Sequence, residues 1–164
     1  MKPKDNKGVY SLPLEVANVS KTLKSAGFEA YLIGGCVRDI LLDRKPNDWD
    51  FTTNSKPEEI IKLFPKTFYE NEYGTVGVVN ESATDETLKV VEITPYRLES
   101  GYSDKRRPDS VKWSEKLEDD LKRRDFTVNA IALDILEELE KTGTYKGHLV
   151  DLYKGQEDLA KKTL

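Results

Sequence analysis

Residues 29–53 place a strand, a Gly-Gly turn, a short helix and a second strand in immediate succession, and that order restricts the fold more than any other feature of the chain. Residues 29–33 read as a short strand running into Gly34-Gly35, and residues 37–42 as a short helix. Residues 43–47, with Pro46, form a loop. Residues 48–53 alternate polar and apolar side chains as a strand does. The same alternation of helix and strand signals continues along the chain, on the scale of a compact α/β or α+β domain.

Upstream, residues 14–26 carry Leu14, Val16, Val19 and Leu23 roughly on one helical face, and Gly27 is placed to end that helix. Downstream, Ser55 with Glu58 three residues later, and Pro57 in the first turn, mark a helix start. Its apolar face is Ile60, Ile61 and Phe64, and Pro65 stops it. Residues 75–79 and 89–94 are β-branched runs around a polar turn, the pattern of a hairpin. Residues 101–110 are polar, basic and without period, which predicts a mobile loop. A helix is expected over 114–123, a second short one near Thr127, a solvated excursion over 137–146, and a further helix from Gln156 onward.

Composition narrows the chemistry. The chain has 164 residues, 26 basic and 30 acidic, for a net charge of −4. That length suits one domain with one core. No uncharged stretch is long enough for a membrane-spanning helix, and no apolar run follows the basic N-terminus as a secretory signal requires. With one cysteine and one histidine, Cys36 has no internal disulfide partner and Cys36 with His148 cannot build a four-ligand zinc site. A catalytic metal would sit on carboxylates, which favours magnesium, manganese or calcium over zinc. The acidic balance argues against a surface that grips nucleic acid all over, and leaves room for local basic patches.

Asp48-Trp49-Asp50-Phe51 is the sharpest local signal. On a strand Asp48 and Asp50 share one face, about 7 Å apart, while Trp49 and Phe51 point into the core. Two such carboxylates repel unless a positive charge lies between them, and a divalent metal supplies one. An exposed strand with two unrelated aspartates is the competing reading. Gly34-Gly35-Cys36-Val37-Arg38 sits at a strand-to-helix turn, where glycines let backbone N–H groups approach a phosphate and Arg38 can add a bidentate contact. A plain tight turn is the alternative. Glu92 lies inside a β-branched run, costly unless it is solvated or partnered, and would be a third acid if its strand neighbours Asp48 and Asp50. Arg123-Arg124-Asp125, with Thr127 and Asn129, could serve phosphate and sugar or simply cap two helices.

The ordered set resembles a known family. It comprises Tyr31-Leu32-Ile33-Gly34-Gly35-Cys36-Val37-Arg38-Asp39, Asp48-Trp49-Asp50-Phe51-Thr52, Glu92-Ile93-Thr94-Pro95-Tyr96-Arg97, Tyr102-Ser103-Asp104-Lys105-Arg106-Arg107-Pro108, Asp120-Leu121-Lys122-Arg123-Arg124-Asp125-Phe126-Thr127-Val128-Asn129 and Leu149-Val150-Asp151-Leu152-Tyr153-Lys154-Gly155-Gln156-Glu157-Asp158-Leu159. These segments are similar to the head domain of class II nucleotidyltransferases, the CCA-adding enzymes and bacterial poly(A) polymerases. The resemblance implies an α+β, polymerase-β-like fold, a twisted mixed sheet flanked by helices, over residues 1–164. It implies Asp48 and Asp50 as ligands of a two-ion Mg²⁺ site (Mn²⁺ being an alternative), with Glu92 as a third carboxylate. Gly34, Gly35 and Arg38 would contact the triphosphate, Arg124 would be a further nucleotide contact, and Asp125 and Asn129 would lie near the ribose. Lys105, Arg106 and Arg107 fall in a flexible family element that aids the switch from C to A addition.

The implied activity is template-independent addition of C and A from CTP and ATP to a tRNA 3′ end, in the cytoplasm and without a membrane. A poly(A) polymerase head and a silent NTP- or RNA-binding module are the alternatives. Leu152 and Tyr153 depart from the Pro-Phe common in the family, and residues 137–146 are longer than usual. The family's neck, body and tail domains, including the segment that pairs with the base, are expected to lie outside this chain.

Overall fold

A computed structural model describes residues 7–70, 73–98 and 112–162. Its strands are β1 (Lys7–Ser11), β2 (Ala30–Ile33), β3 (Asp50–Thr53), β4 (Thr67–Tyr69), β5 (Val76–Val79), β6 (Val90–Pro95), β7 (Arg97–Leu98), β8 (Lys112–Trp113), β9 (Ala132–Leu139) and β10 (Thr144–Val150). The helices are α1 (Leu14–Ser25), α2 (Gly35–Leu41), α3 (Pro57–Leu63), α4 (Leu117–Lys122) and α5 (Gly155–Lys161). Eight strands form one sheet in the order β1-β10-β9-β2-β3-β6-β5-β4, and β7 and β8 pair separately. Only β3 and β6 run parallel; the other pairs in the large sheet are antiparallel. This is the expected mixed sheet with flanking helices.

Alternation along the strands divides the core. Ala30 and Leu32 of β2, Phe51 of β3, Val91 and Ile93 of β6, and Leu133 and Ile135 of β9 join the larger apolar cluster, with Val16, Val19 and Leu23 of α1 and Ile60 of α3. Ile33, Ala132 and Tyr96 fall in the smaller cluster, closed by Leu117 and Leu121 of α4. Asp50 and Glu92 are one residue out of phase with Phe51, Val91 and Ile93, so they belong to the side that α4 covers only in part.

Two expectations are corrected. Residues 137–146 are not an excursion from the fold: they complete β9 and β10, which pair through this segment with a register irregularity between Tyr145 and Gly147. Leu136, Glu137 and Glu138 do face solvent, and ladder hydrogen bonds rather than burial hold the outer end. The expected strand at 48–53 begins at Asp50; Asp48 lies in the bend before it. Trp49 and Phe51 are buried as expected, at 4% and 1% exposure. Strands β1 and β4, the short pair β7 and β8, and the long strands β9 and β10 escaped the sequence reading. Strand β1 is a half-buried edge strand, and β4 has three residues.

Candidate active site

The parallel pairing of β3 with β6 places Asp50 directly opposite Glu92, and the Glu92 N–H donates to the Trp49 carbonyl at 3.0 Å. The Asp50 and Glu92 carboxyls influence each other's protonation, and Glu70, just beyond β4, acts on Glu92 in turn. Burial pushes the Asp50 carboxyl above the usual range, the Asp48 charge adds to this, and Arg124 opposes it. Glu92 is raised by burial and then by Asp50 and Asp48. Glu70 is pushed up to about 7 by desolvation, followed by Glu92 and Asp48. Asp48, Asp50, Glu92 and Glu70 therefore form one field of mutually repelling acids.

Sequence reasoning missed Glu70. Only the pairing of β4 with β5, and of β5 with β6, brings it to Glu92.

The acids present oxygen donors only, a chemistry that fits Mg²⁺ or Mn²⁺. Among the described residues no three His, Cys, Asp or Glu converge as a ready-made metal cage. That also fits a hard cation bound by one or two carboxylates plus substrate phosphates, rather than by an all-protein site.

Beside the acids lies the turn that ends β2. Gly34 has φ +80° and ψ −144°, a conformation open to glycine at little cost. A Cβ built there would lie 3.7 Å from Nη1 of Arg124, and one built on Gly35 would lie 3.2 Å from Nη2 of Arg38. Both guanidinium groups thus lie over the glycine turn. Arg38 Nη1 donates to Asn129 Oδ1 at 3.3 Å, and Arg38 Nε to Asp39 Oδ1 at 3.2 Å. Arg124 Nη2 donates to Asp120 Oδ2 at 3.1 Å, and Arg123 Nε to Asp120 Oδ1 at 3.2 Å. Asp120 is fully buried, a carboxylate tolerated inside because two arginines surround it. Burial lowers the Arg124 pKa, while Asp120 and then Asp50 favour its charge.

The structure thus brings together Gly34, Gly35, Arg38, Arg124, Asn129 and the acid cluster. Asp125 is exposed, and its side chain makes no hydrogen bond or ion pair with another described residue. Lys105, Arg106 and Arg107 lie outside the described residues. Cys36 is buried behind Asp50; its thiol donates to the Ile33 carbonyl at 3.3 Å, and burial pushes it up to about 12. It is packing, not a nucleophile.

The model of the poly A polymerase head domain matches residues 30–164. The chain belongs to the poly A polymerase head-domain family. The chain is 47% identical over 142 residues to the CCA-adding enzyme of Lactobacillus helveticus, covering 86% of this chain and 32% of that relative. It is 42% identical over 151 residues to that of Bacillus cereus, covering 92% and 34%.

A crystal structure of the Bacillus stearothermophilus CCA-adding enzyme in complex with CTP matches with a TM-score of 0.69 and 33% identity, over 91% of this chain and 32% of that one. A tRNA nucleotidyltransferase complexed with a primer tRNA and an incoming ATP analog matches at 0.60 and 29%, over 88% and 37%. This poly A polymerase head domain therefore spans about a third of the length of the relatives it matches. Its fold is the polymerase-β-like nucleotidyltransferase fold. Among the described residues no helix is long and apolar enough to cross a membrane.

Proposed function

We propose that this chain is the catalytic head of a template-independent RNA nucleotidyltransferase that adds C and A to the 3′ end of tRNA, in the cytoplasm. The observation that carries the reading is the facing of Asp50 and Glu92 across β3 and β6 beside Gly34 and Arg124. Gly34 and Gly35 leave their backbone open to the triphosphate, Arg38 and Arg124 bind its charge, and Asn129 orients Arg38 beside the sugar. Asp125, exposed on the same turn, is free to reach a ribose hydroxyl.

Asp48 and Asp50, with Glu92 as the third carboxylate, would hold two Mg²⁺ ions (or Mn²⁺), which supply Lewis-acid stabilisation of charge at the reacting phosphate. In the transfer the RNA 3′-hydroxyl oxygen bonds to the α-phosphorus and the bond to the bridging oxygen breaks. Pyrophosphate leaves with that electron pair, and the hydroxyl proton passes to water. No side-chain nucleophile is needed. The relatives' names support CTP, ATP and tRNA as substrates.

Primer extension with labelled CTP and ATP in magnesium tests the reading. Asp48→Asn and Asp50→Asn should each lower transfer by several orders of magnitude, the scale of lost transition-state charge stabilisation, with melting temperatures unchanged or raised because repulsion is relieved. Near-normal transfer by both variants would overturn it.

A further inference from the structure

Among the described residues Asp120 is the acid most completely withdrawn from solvent, at 0% exposure, and the transfer reading gives it no task. It lies on α4 between Leu117 and Leu121, in the smaller apolar cluster that also holds Tyr96. An ionised carboxylate is expensive in such surroundings, and packing alone is served as well or better by an apolar side chain of similar volume. The donors around Asp120 give the acid its reason.

Its two oxygens are used differently. Oδ1 accepts from Arg123 Nε at 3.2 Å and from the Arg97 N–H at 3.4 Å, so it is tied both to the end of α4 and to the start of β7. Held from two elements, the carboxylate keeps Oδ2 aimed at Arg124 Nη2, 3.1 Å away. Arg124 is itself shut in. Its side chain is 19% exposed, and its Nε is buried with no hydrogen-bond partner among the described residues. One nitrogen is thus bonded to Asp120 and one is enclosed, while Nη1 lies over the glycine turn, 3.7 Å from a Cβ built on Gly34. Burial works against the Arg124 charge and Arg123 opposes it too; Asp120 is the foremost group that sustains it, with a weaker contribution from Asp50.

We infer that Asp120 is a positioning residue for nucleotide binding: by holding Nη2 it fixes the Arg124 guanidinium with Nη1 over Gly34, ready for a triphosphate oxygen. The inference rests on the assignment of Arg124 to the triphosphate. Asp120 acts through Arg124 and does not meet the nucleotide, whose phosphates it would repel. An arginine already held in its binding orientation loses less freedom when the phosphate arrives, and preorganisation of that kind raises affinity. Orientation, not charge alone, is what the buried acid supplies.

Equilibrium titration of the chain with CTP in magnesium tests this. Asp120→Asn keeps the side chain's shape and removes its charge. It should weaken CTP binding about tenfold or more, the scale of a hydrogen bond to a charged group. In an Arg124→Ala background the same substitution should change CTP affinity by no more than about twofold, because residues acting through one contact are not additive. An acid that serves only the fold would weaken CTP equally in both backgrounds, and that result would overturn the inference. Arg124→Lys asks the question without touching Asp120. A lysine keeps the charge but has no second nitrogen to face Gly34 while the first holds Asp120, so it should lose CTP affinity as Arg124→Ala does. Affinity close to the parent's would show that charge suffices and would overturn the inference, even where Asp120→Asn fails to fold. Without nucleotide, the NMR signal of the Arg124 Nε–H should move in Asp120→Asn while the backbone amides of β3 and β9 keep their positions; an unmoved signal counts against the inference. Parent-like CTP binding by Arg124→Ala would instead remove Arg124 from the triphosphate, and this inference with it.

Discussion

At the scale of single residues the acid cluster stores repulsion that the fold must hold. Glu70 shows its sign. Its carboxyl titrates near 4.5 when unperturbed and is pushed up to about 7 in the folded protein, by desolvation and then by Glu92. A raised folded pKa contributes stability that is complete below about 4.5 and is lost as pH rises through about 7. Asp50 and Glu92 are shifted in the same direction. Without divalent cations, the melting temperature should therefore fall between pH 5 and pH 8, and Glu70→Gln should flatten the fall. Parallel curves for parent and variant would show that Glu70 does not feel the cluster. None of this was legible around Glu70 in the sequence, where it is one acid in a polar stretch after Phe68 and Tyr69. Its neighbours are set by cross-strand pairing.

Among elements, legibility followed the strength of the local pattern. Trp49 and Phe51 fixed the face of β3, and the Gly34-Gly35 turn marked the junction of β2 and α2, because burial and backbone geometry both leave a residue-level trace. Strand β1 left little trace, since its five residues alternate exposed and half-buried at the sheet edge. Strand β9 went unread too, and its outer part left no trace, because Leu136, Glu137 and Glu138 all face solvent there. The role of α5 was equally hidden. Gly155 opens it, its N–H donates to Asp151 Oδ1 at 2.7 Å, and a Cβ there would lie 2.3 Å from the Thr127 carbonyl oxygen and 2.7 Å from Ile131. Thr127 also donates to Asp158 of α5. The helix thus rests directly on the 3₁₀ turn Thr127–Asn129, whose Asn129 bonds Arg38. Gly155→Ala has backbone, not a flexible side chain, to displace. It should cost roughly 1–3 kcal/mol of stability, as overpacking does, and weaken nucleotide binding through Asn129. Urea melts with nucleotide titration check both. A stability loss with unchanged nucleotide affinity would mean that α5 does not position the site.

For the whole molecule, the assigned contacts are unevenly distributed over a nucleoside triphosphate. In the proposed reading Gly34, Gly35, Arg38 and Arg124 would meet the phosphates, Asp48, Asp50 and Glu92 the reacting centre, and Asn129 the sugar side. Every NTP shares these parts. A base edge is read only by donors and acceptors placed opposite it, and none of these residues is so placed. The 164-residue chain should therefore bind CTP, ATP, UTP and GTP within a few-fold of one another in magnesium. Arg38→Ala and Arg124→Ala should each weaken all four alike by about 1.5–3 kcal/mol, the scale of a hydrogen bond to a charged group. Equilibrium titration of parent and variants with the four nucleotides measures both effects. Equal loss across the four places these arginines on phosphate; loss confined to one nucleotide would make them base readers. A parent preference above about tenfold, 1.4 kcal/mol, for CTP and ATP over UTP and GTP would show that this fold carries base-selecting groups of its own, and the division between phosphate grip and base choice would be wrong.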